Sequence, residues 1–211
     1  MLGRHIKIGH AGTLDPFASG LLIVAIGKAA TRSINTLVDC DKTYWVKAKL
    51  GELTDTLDHT GTIIEHTPTA QLRIEQLKEA ITKIGTSYEQ TPPIYSALWH
   101  EGTRLYLLAR TATLTKEELD TIAAKKKRTV HIRHIELESY EHPFFTFTAT
   151  VSKGTYIRSL AHDIAQRLGT CATTYTLVRT AIGPYSLADA HTLEEIITQQ
   201  VSLGSIVKEI P

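Results

Sequence analysis

One carboxylate near the start of the chain stands out by its setting. Asp15 follows a glycine-rich segment, residues 9–14, and precedes Pro16 and the apolar run at residues 20–26. A loop of this kind, braced by an apolar element, is a setting in which a rigid scaffold presents one reactive side chain to solvent. On spacing alone the segment is more simply a turn, because Asp before Pro favours turn initiation and Pro keeps the preceding residue out of the helical region.

Other familiar catalytic patterns are missing from the sequence. The ten histidines include no helically spaced pair flanked by acids, and Cys40 and Cys171 fit neither a metal site nor a disulfide framework. No Walker A motif, Rossmann fingerprint or serine-hydrolase elbow occurs, so we expect neither a metal nor a nucleotide cofactor nor a serine triad. Asp15, Tyr44 and Arg158 remain as candidates for chemistry. A lone Asp suits nucleophilic catalysis better than hydrolysis by an acid pair, and a nearby Arg would lower its pKa by about 1–3 units.

Two basic segments admit a phosphate-binding role as well as a structural one. Residues 152–155, Ser-Lys-Gly-Thr, stand where a predicted strand meets a predicted helix, so they are either a phosphate-holding corner or a capped turn. Residues 125–128, Lys-Lys-Lys-Arg, are either a solvated helix end or a contact for RNA phosphates. Since the formal net charge is only +1, composition gives no independent argument for nucleic acid.

Hydrophobic periodicity predicts the elements that position these residues. Alternating or continuous apolar residues predict strands at 20–26, 44–50, 62–65, 130–140, 145–151 and 177–179. Apolar stripes and capping signals predict helices at 28–37, from the Thr67-Pro68 cap to Gly85, and at 103–111, 116–127, 157–168 and 192–201. We predict a polar loop at 51–61 and an extended segment at 90–97.

Two finer predictions follow from this pattern. The lost parity between Ile132 and Ile135 predicts a β-bulge. Arg158 lies off the apolar stripe of its helix, so we expect it in a cleft or at the surface rather than in the core. Hairpin-like strands with interspersed helices, without regular βαβ alternation, predict an α+β fold with a mainly antiparallel sheet.

Length and composition set the class of protein. The chain has 211 residues, 42% of them hydrophobic and 21% charged, which suits one large globular domain, or one domain with a small appendage, and a sizeable core. No apolar run approaches the length of a membrane span, and the N-terminus lacks an apolar signal core. The two unpaired cysteines favour a reducing, cytoplasmic setting.

The sequence resembles the TruB family of tRNA pseudouridine synthases. The resemblance begins with Gly-His-Ala-Gly-Thr-Leu-Asp-Pro and continues, in the family's order, over most of the chain. The matching motifs are residues 9–16, 41–44, 50–51, 54–56, 90–97, 102–106, 152–158 and 177–180. Trp99 stands where members of the family usually have Lys.

This resemblance implies a role for each candidate residue. Asp15 would be the nucleophile that attacks the target nucleoside, so that the uracil detaches, rotates and rejoins through its carbon 5. Tyr44 would stack on the uracil and assist proton transfer, and Arg158 would pair with Asp15 at hydrogen-bonding distance. The implied substrate-binding residues are His10, Lys42, Tyr156 and Leu177.

Plainer structural roles stay open for three of these residues. Tyr44 opens a strand and would also fit as a core aromatic residue. His10 would fit as a hydrogen-bonding loop residue. Leu177 would fit as an ordinary core leucine, since its place at the site rests on the resemblance alone.

The resemblance also implies an architecture and a substrate. We expect one catalytic domain over residues 1–211, shorter at the N-terminus than the family, with 188–211 as a short extension instead of a separate RNA-binding module. The substrate would be uridine 55 in the T-stem-loop of tRNA, flipped out of its stack, and the enzyme a monomer without metal or cofactor. The alternatives are a non-catalytic tRNA-binding or folding chaperone and a pseudouridine synthase that acts on another RNA.

Overall fold

Strands and helices alternate irregularly along the chain. The computed structural model describes residues 6–69 and 72–198. The strands are β1 (Ile8–His10), β2 (Ser19–Gly20), β3 (Val24–Ile26), β4 (Lys42–Leu50), β5 (Glu52–Thr54), β6 (Ile63–His66), β7 (Ser87–Gln90), β8 (Trp99–His100), β9 (Thr103–Arg104), β10 (Arg128–Glu141), β11 (Phe144–Val151), β12 (Ala172–Ile182) and β13 (Tyr185–Ser186). The helices are α1 (Lys28–Asp39), α2 (Ile74–Thr82), α3 (Leu105–Arg110), α4 (Lys116–Lys125), α5 (Ile157–Gln166) and α6 (Leu193–Ile197), with a 3₁₀ turn at Leu187–Asp189.

One large sheet organises the fold. Its strands run in the order β13-β12-β4-β11-β10-β7, and β2 also pairs with β12, at Val178 and Arg179. Every pair in this sheet is antiparallel except β2 with β12, which is parallel. Three separate two-stranded ribbons, β1-β3, β5-β6 and β8-β9, complete the strands. The expected α+β fold with a mainly antiparallel sheet is therefore confirmed.

The main core lies between one face of this sheet and two helices. Alternate residues of β4, namely Val46, Ala48 and Leu50, are buried on that face, as the period of two in a half-buried strand requires. Leu77 of α2 and Leu160 of α5 are fully buried against them. This packing fixes the N-terminus of α5 relative to β4. None of the helices within 6–69 and 72–198 is long and apolar enough to cross a lipid bilayer.

Several local predictions are confirmed. The capping signal at Thr115 forms, since its hydroxyl accepts from the Glu118 amide and the Glu118 carboxylate accepts from the Thr115 amide. The pairing of β10 with β11 shifts register between Ile132 and His134, where the bulge was predicted. The helix predicted at 157–168 is α5, and Gly169 follows it with a φ of 74°.

Other predictions need correction. Helix α2 begins at Ile74 and not after Thr67, because the Thr67 amide donates to the Gly51 carbonyl and so continues the β5-β6 hairpin. The polar loop predicted at 51–61 contains β5, and the apolar run at 20–26 is divided between β2 and β3. The helix predicted at 192–201 is α6, Leu193–Ile197, and its last positions lie outside the described residues.

Candidate active site

The loop that carries Asp15 is held at both ends. The Ala11 amide donates to the Ile23 carbonyl at 3.0 Å, and the Leu21 amide donates to the Arg179 carbonyl at 2.8 Å. Between these anchors the Ala18 amide closes a turn onto the Asp15 carbonyl at 2.9 Å. The two interpretations of this segment are therefore compatible, because the turn itself presents the carboxylate.

Arg158 binds the Asp15 carboxylate through two parallel hydrogen bonds. Its Nε donates to Oδ2 at 2.8 Å and its Nη2 donates to Oδ1 at 3.0 Å, the fork geometry that favours an Arg–carboxylate pair. The predicted ion pair is thus present. The Arg158 side chain is only 3% exposed, whereas that of Asp15 is 33% exposed. The expected surface position of Arg158 is therefore wrong, because three other groups enclose its guanidinium, and its position in a cleft stays a prediction.

Those three groups occupy the remaining donors of Arg158. Nη1 donates to the Thr56 carbonyl at 2.5 Å and lies 3.6 Å from Oδ2 of Asp58, and Nη2 also donates to the Tyr95 carbonyl at 3.0 Å. A guanidinium has five N–H groups in a rigid plane, so these contacts with the Asp15 pair fix its orientation. Asp58 is a buried site residue that sequence reasoning placed only in a polar loop.

Tyr44 lies beside this pair on the inner face of β4. It is half-buried, packs against the main core and stands opposite Arg179 of β12 in the pairing register. Burial raises the pKa of the Tyr44 hydroxyl, the positive charge of Arg179 opposes that rise, and the charge of Asp15 adds to it. The hydroxyl therefore keeps its proton at neutral pH. A neutral aromatic ring next to a carboxylate–guanidinium pair offers a stacking surface and a proton-bearing hydroxyl at one site.

Two family models together match residues 1–206 of the chain. Residues 1–157 match the TruB family pseudouridylate synthase (N terminal domain), and residues 158–206 match the tRNA pseudouridylate synthase B C-terminal domain. The chain belongs to the TruB family. The boundary between the two matches separates Asp15 and Tyr44 from Arg158, so the ion pair joins the two parts.

Three curated relatives of this chain have the same name. Proteins named tRNA pseudouridine synthase B match at 38% identity in Thermotoga petrophila, 42% in Bordetella pertussis and 36% in Chlorobaculum tepidum. The matches cover 92%, 90% and 98% of this chain, and 60%, 75% and 83% of the respective relatives. This chain therefore spans only part of each relative.

Solved structures share the fold. A chain of a Cbf5-Nop10-Gar1 complex matches with a TM-score of 0.65 and 26% identity, covering 91% of this chain and 45% of that chain. An H/ACA RNP bound to a substrate RNA containing 2'-deoxyuridine matches with a TM-score of 0.63 and 24% identity, covering 91% and 44%. The second likeness concerns the fold alone.

The other residues that the TruB resemblance singled out are spread around the centre. His10 is exposed on β1, opposite Val24. Leu177 is buried on β12, pairs with Val46 and belongs to the main core. Tyr156 precedes α5 and lies under the Arg128 guanidinium, 5.2 Å from the ring centre. The structure brings none of these three side chains into hydrogen-bonding contact with Asp15 or Arg158, and their substrate-binding roles stay predictions.

Lys42 has a defined structural role. Its buried ammonium group donates to the carbonyls of Val38 at 2.5 Å and Cys40 at 2.7 Å, at the C-terminal end of α1. A cation at this end satisfies free carbonyls and complements the helix dipole. Burial lowers the pKa of Lys42. The ammonium is thus engaged by the protein itself, and its role in substrate binding stays a prediction.

The two basic segments have local structural partners. At the corner of residues 152–155, Lys153 pairs with Asp39 at 2.7 Å and the Thr155 hydroxyl donates to the Ser152 carbonyl, which is a closed turn. In the run 125–128, Lys125 ends α4, and Arg128 begins β10 and donates to the Gly154 carbonyl. Both segments thus serve as element ends in the protein alone.

Arg179 is a further residue of the site, and sequence reasoning assigns it no separate role. It appeared only inside the motif at 177–180, yet it is 2% exposed and contacts the Asp15 loop through its side chain. The alternation of side chains along strand β12 is a signal in the sequence that indicates this burial. Residues 177 and 179 point to the same face, so a buried Leu177 predicts a buried Arg179.

Proposed function

We propose that this chain is an RNA-modifying isomerase that converts uridine to pseudouridine at position 55 in the T-loop of tRNA. The observation that carries the proposal is the Asp15 carboxylate, held in a fork by buried Arg158 and standing beside Tyr44. The relatives named tRNA pseudouridine synthase B support tRNA as the substrate.

Asp15 is the nucleophile in this proposal. The isomerisation breaks the bond between N1 of uracil and C1′ of ribose and forms one between C5 and C1′. The C5 proton leaves and N1 gains a proton, so no oxidant or group donor is consumed. Arg158 stabilises the ionised carboxylate and fixes its direction, which is how a positioned nucleophile gains reactivity. The partial exposure of Asp15 leaves it open to a nucleoside that enters from solvent.

In this proposal, Tyr44 stacks on the detached uracil and transfers the proton that moves between C5 and N1 of the base. A half-buried phenol that stays neutral offers an aromatic face without a competing charge. The charge of Asp15 helps to raise the pKa of this hydroxyl, and we assign to it the transfer of a proton between C5 and N1 while the base rotates.

An exposed hairpin near the site would suit a flipped nucleotide. The β8-β9 hairpin begins at Trp99, shortly after Tyr95, and Trp99 is 54% exposed with the Arg104 guanidinium 4.0 Å from its ring centre. An exposed aromatic residue with a stacked Arg is a platform on which unpaired bases stack. Arg104 would supply the cation that the family usually places at position 99. His10, exposed on β1, would face the RNA where the base leaves its stack.

The chain would work alone as one domain in the cytoplasm. Strand β12 pairs with β4 along nearly its whole length, which joins the two matched regions into one sheet. Asp15, Tyr44 and Arg158 all come from one chain, which supports a monomer. Cys40 and Cys171 are both free thiols, which fits a reducing compartment.

Product mapping on an unmodified tRNA transcript tests the proposal. The purified protein is incubated with the transcript, and pseudouridine is mapped at each uridine. A transcript with cytidine at position 55 is the substrate control. Asp15→Asn is the test variant, and Asp120→Asn, an exposed residue of α4, is the matched control. We expect product at position 55 with the wild type and Asp120→Asn, and none with Asp15→Asn.

Each other outcome points to a different function. Tight tRNA binding by folded wild type without any product would favour the non-catalytic tRNA-binding protein. Product in another RNA but not in tRNA would favour a pseudouridine synthase of different specificity. Undiminished product from Asp15→Asn would remove Asp15 as the nucleophile.

A further inference from the structure

Arg179 is the second buried arginine of the site, and its environment differs from that of Arg158. Its side chain is 2% exposed and among the largest that are fully buried. Arg158 faces two carboxylates, Asp15 and Asp58. Within residues 6–69 and 72–198, no carboxylate oxygen lies within 4.0 Å of the Arg179 guanidinium. A buried charge without a counter-charge is costly, so a benefit elsewhere must offset it.

The contacts of Arg179 converge on the Asp15 loop. Its Nε donates to the Leu21 carbonyl at 2.8 Å, and its Nη2 donates to the Gly12 carbonyl at 3.1 Å. Its own carbonyl accepts from the Leu21 amide at 2.8 Å. Gly12 and Leu21 stand on either side of Asp15, so one side chain ties the two ends of the loop together.

Glycine is required where the loop approaches Arg179 most closely. Gly20 pairs with Arg179 in the parallel β2-β12 contact and has a φ of 106°, which L side chains rarely adopt. A Cβ atom at Gly20 would lie 2.3 Å from the Arg179 carbonyl oxygen. The loop is therefore fitted to this one residue of β12 by its backbone as well as by its carbonyls.

Arg179 also lies opposite the other candidate catalytic residue. It pairs with Tyr44 in the β4-β12 register, and its positive charge opposes the rise in the pKa of the Tyr44 hydroxyl. We propose that Arg179 is a positioning residue of the catalytic centre, whose guanidinium holds the two ends of the Asp15 loop next to Tyr44. The proposal rests on the proposed function, and it adds a residue that acts through Asp15 and Tyr44 rather than on the substrate.

Two substitutions at Arg179 distinguish the role of its planar guanidinium from the role of its positive charge. Arg179→Met keeps a long side chain without charge or donors. Arg179→Lys keeps the charge, but an ammonium group cannot reproduce the planar fork that spans two carbonyls. Ile182→Ala is the matched control, because Ile182 is fully buried on the same strand and its truncation lowers stability without touching the loop.

Kinetics on the tRNA transcript give the first readout. We expect Arg179→Met to lower kcat by about 100-fold with little change in KM, because a small displacement of a reacting group costs rate rather than binding. Arg179→Lys should fall between Arg179→Met and wild type. Ile182→Ala should keep wild-type kcat at temperatures well below its unfolding midpoint. A kcat for Arg179→Met equal to that of Ile182→Ala would overturn the proposal.

The pH profile of kcat separates positioning from a general loss of structure. The charged groups that act on Tyr44 are Arg179 from β12 and Asp15 from the loop. Without the guanidinium, the pKa of Tyr44 rises further, so an alkaline limb set by Tyr44 moves to higher pH in Arg179→Met and stays in place in Arg179→Lys. An unmoved limb in both variants would contradict an effect of the Arg179 charge on Tyr44.

Amide hydrogen exchange supplies a readout that needs no activity. The Ala11, Ala18 and Leu21 amides report on the loop. They should exchange faster in Arg179→Met, while amides of β4 and β11 exchange as in Ile182→Ala. If wild type forms no pseudouridine, the proposed function fails but this comparison still decides on Arg179. Loop exchange in Arg179→Met no faster than in Ile182→Ala would overturn its positioning role.

Discussion

The substitution Arg158→Met tests whether the ion pair organises the site. Arg158 joins α5 to the Asp15 loop, to Asp58 and to the carbonyls of Thr56 and Tyr95. Its removal leaves one buried and one partly exposed carboxylate without a cation, and two carbonyls without a donor. We therefore expect a large loss of stability together with the loss of activity.

The magnitude follows from the burial of the partners. Breaking a buried ion pair by removing one partner costs about 3–5 kcal/mol. The Asp15 side chain is 33% exposed, so solvent screens part of its charge and the lower end, about 3 kcal/mol, applies. For a chain of this size each kcal/mol shifts the unfolding midpoint by about 2–4 °C, which gives a fall of about 6–12 °C.

The assay is thermal and urea unfolding of matched variants. Arg167→Met removes an exposed arginine from the end of the same helix, and should change the free energy of unfolding by no more than about 0.5 kcal/mol. Asp15→Asn keeps an oxygen acceptor for Arg158 and should cost less than Arg158→Met. If Arg158→Met were as stable as Arg167→Met, the ion pair would not hold the loop, and the reasoning about the site would be wrong.

Three further predictions concern separate parts of the protein. Gly20→Ala should lower the free energy of unfolding by about 2 kcal/mol more than Gly27→Ala, because both have positive φ but only Gly20 lies against backbone atoms; urea unfolding measures the difference. Tyr44→Phe keeps the ring but loses the hydroxyl, so kcat should fall by about 100-fold or more with a similar KM, and an unchanged kcat would exclude the proton-transfer role. Burial raises the pKa of Asp163, despite the hydrogen bond from Tyr88, so ionised Asp163 opposes folding at neutral pH. Asp163→Asn should therefore be more stable than wild type at pH 7, with a difference that shrinks as the pH falls through the raised pKa; a constant difference would contradict this.

Local patterns were enough to predict most elements of the fold. The alternation in β4, the cap at Thr115 and the bulge after Ile132 are all encoded within a few residues, so they are legible in the sequence. The start of α2 was misplaced because the Thr67 amide pairs with Gly51, a contact that no local signal at Thr67 reveals. The Thr-Pro pair looks like a helix cap wherever the following residues are apolar at helical spacing.

The candidate site was harder to predict because it is built by long-range contacts. Asp15 and Arg158 are 143 positions apart, and only their separate motifs in a known family connected them. Periodicity placed Arg158 off the apolar stripe, but it carries no information about a charge that is buried against carboxylates and carbonyls from other segments. The same limit applies to Arg179 and to the capping role of Lys42, since both depend on which carbonyls the fold brings near.

Release of the C5 proton is the most direct test of the central claim, that Asp15 drives uridine isomerisation. A tRNA transcript made with tritium at C5 of uridine loses one tritium to water for each pseudouridine formed. Wild-type protein in excess should release the label of the target uridine in a single phase, and Asp15→Asn, with the same tRNA affinity and fold, should release none. Equal release by Asp15→Asn and wild type would contradict the account.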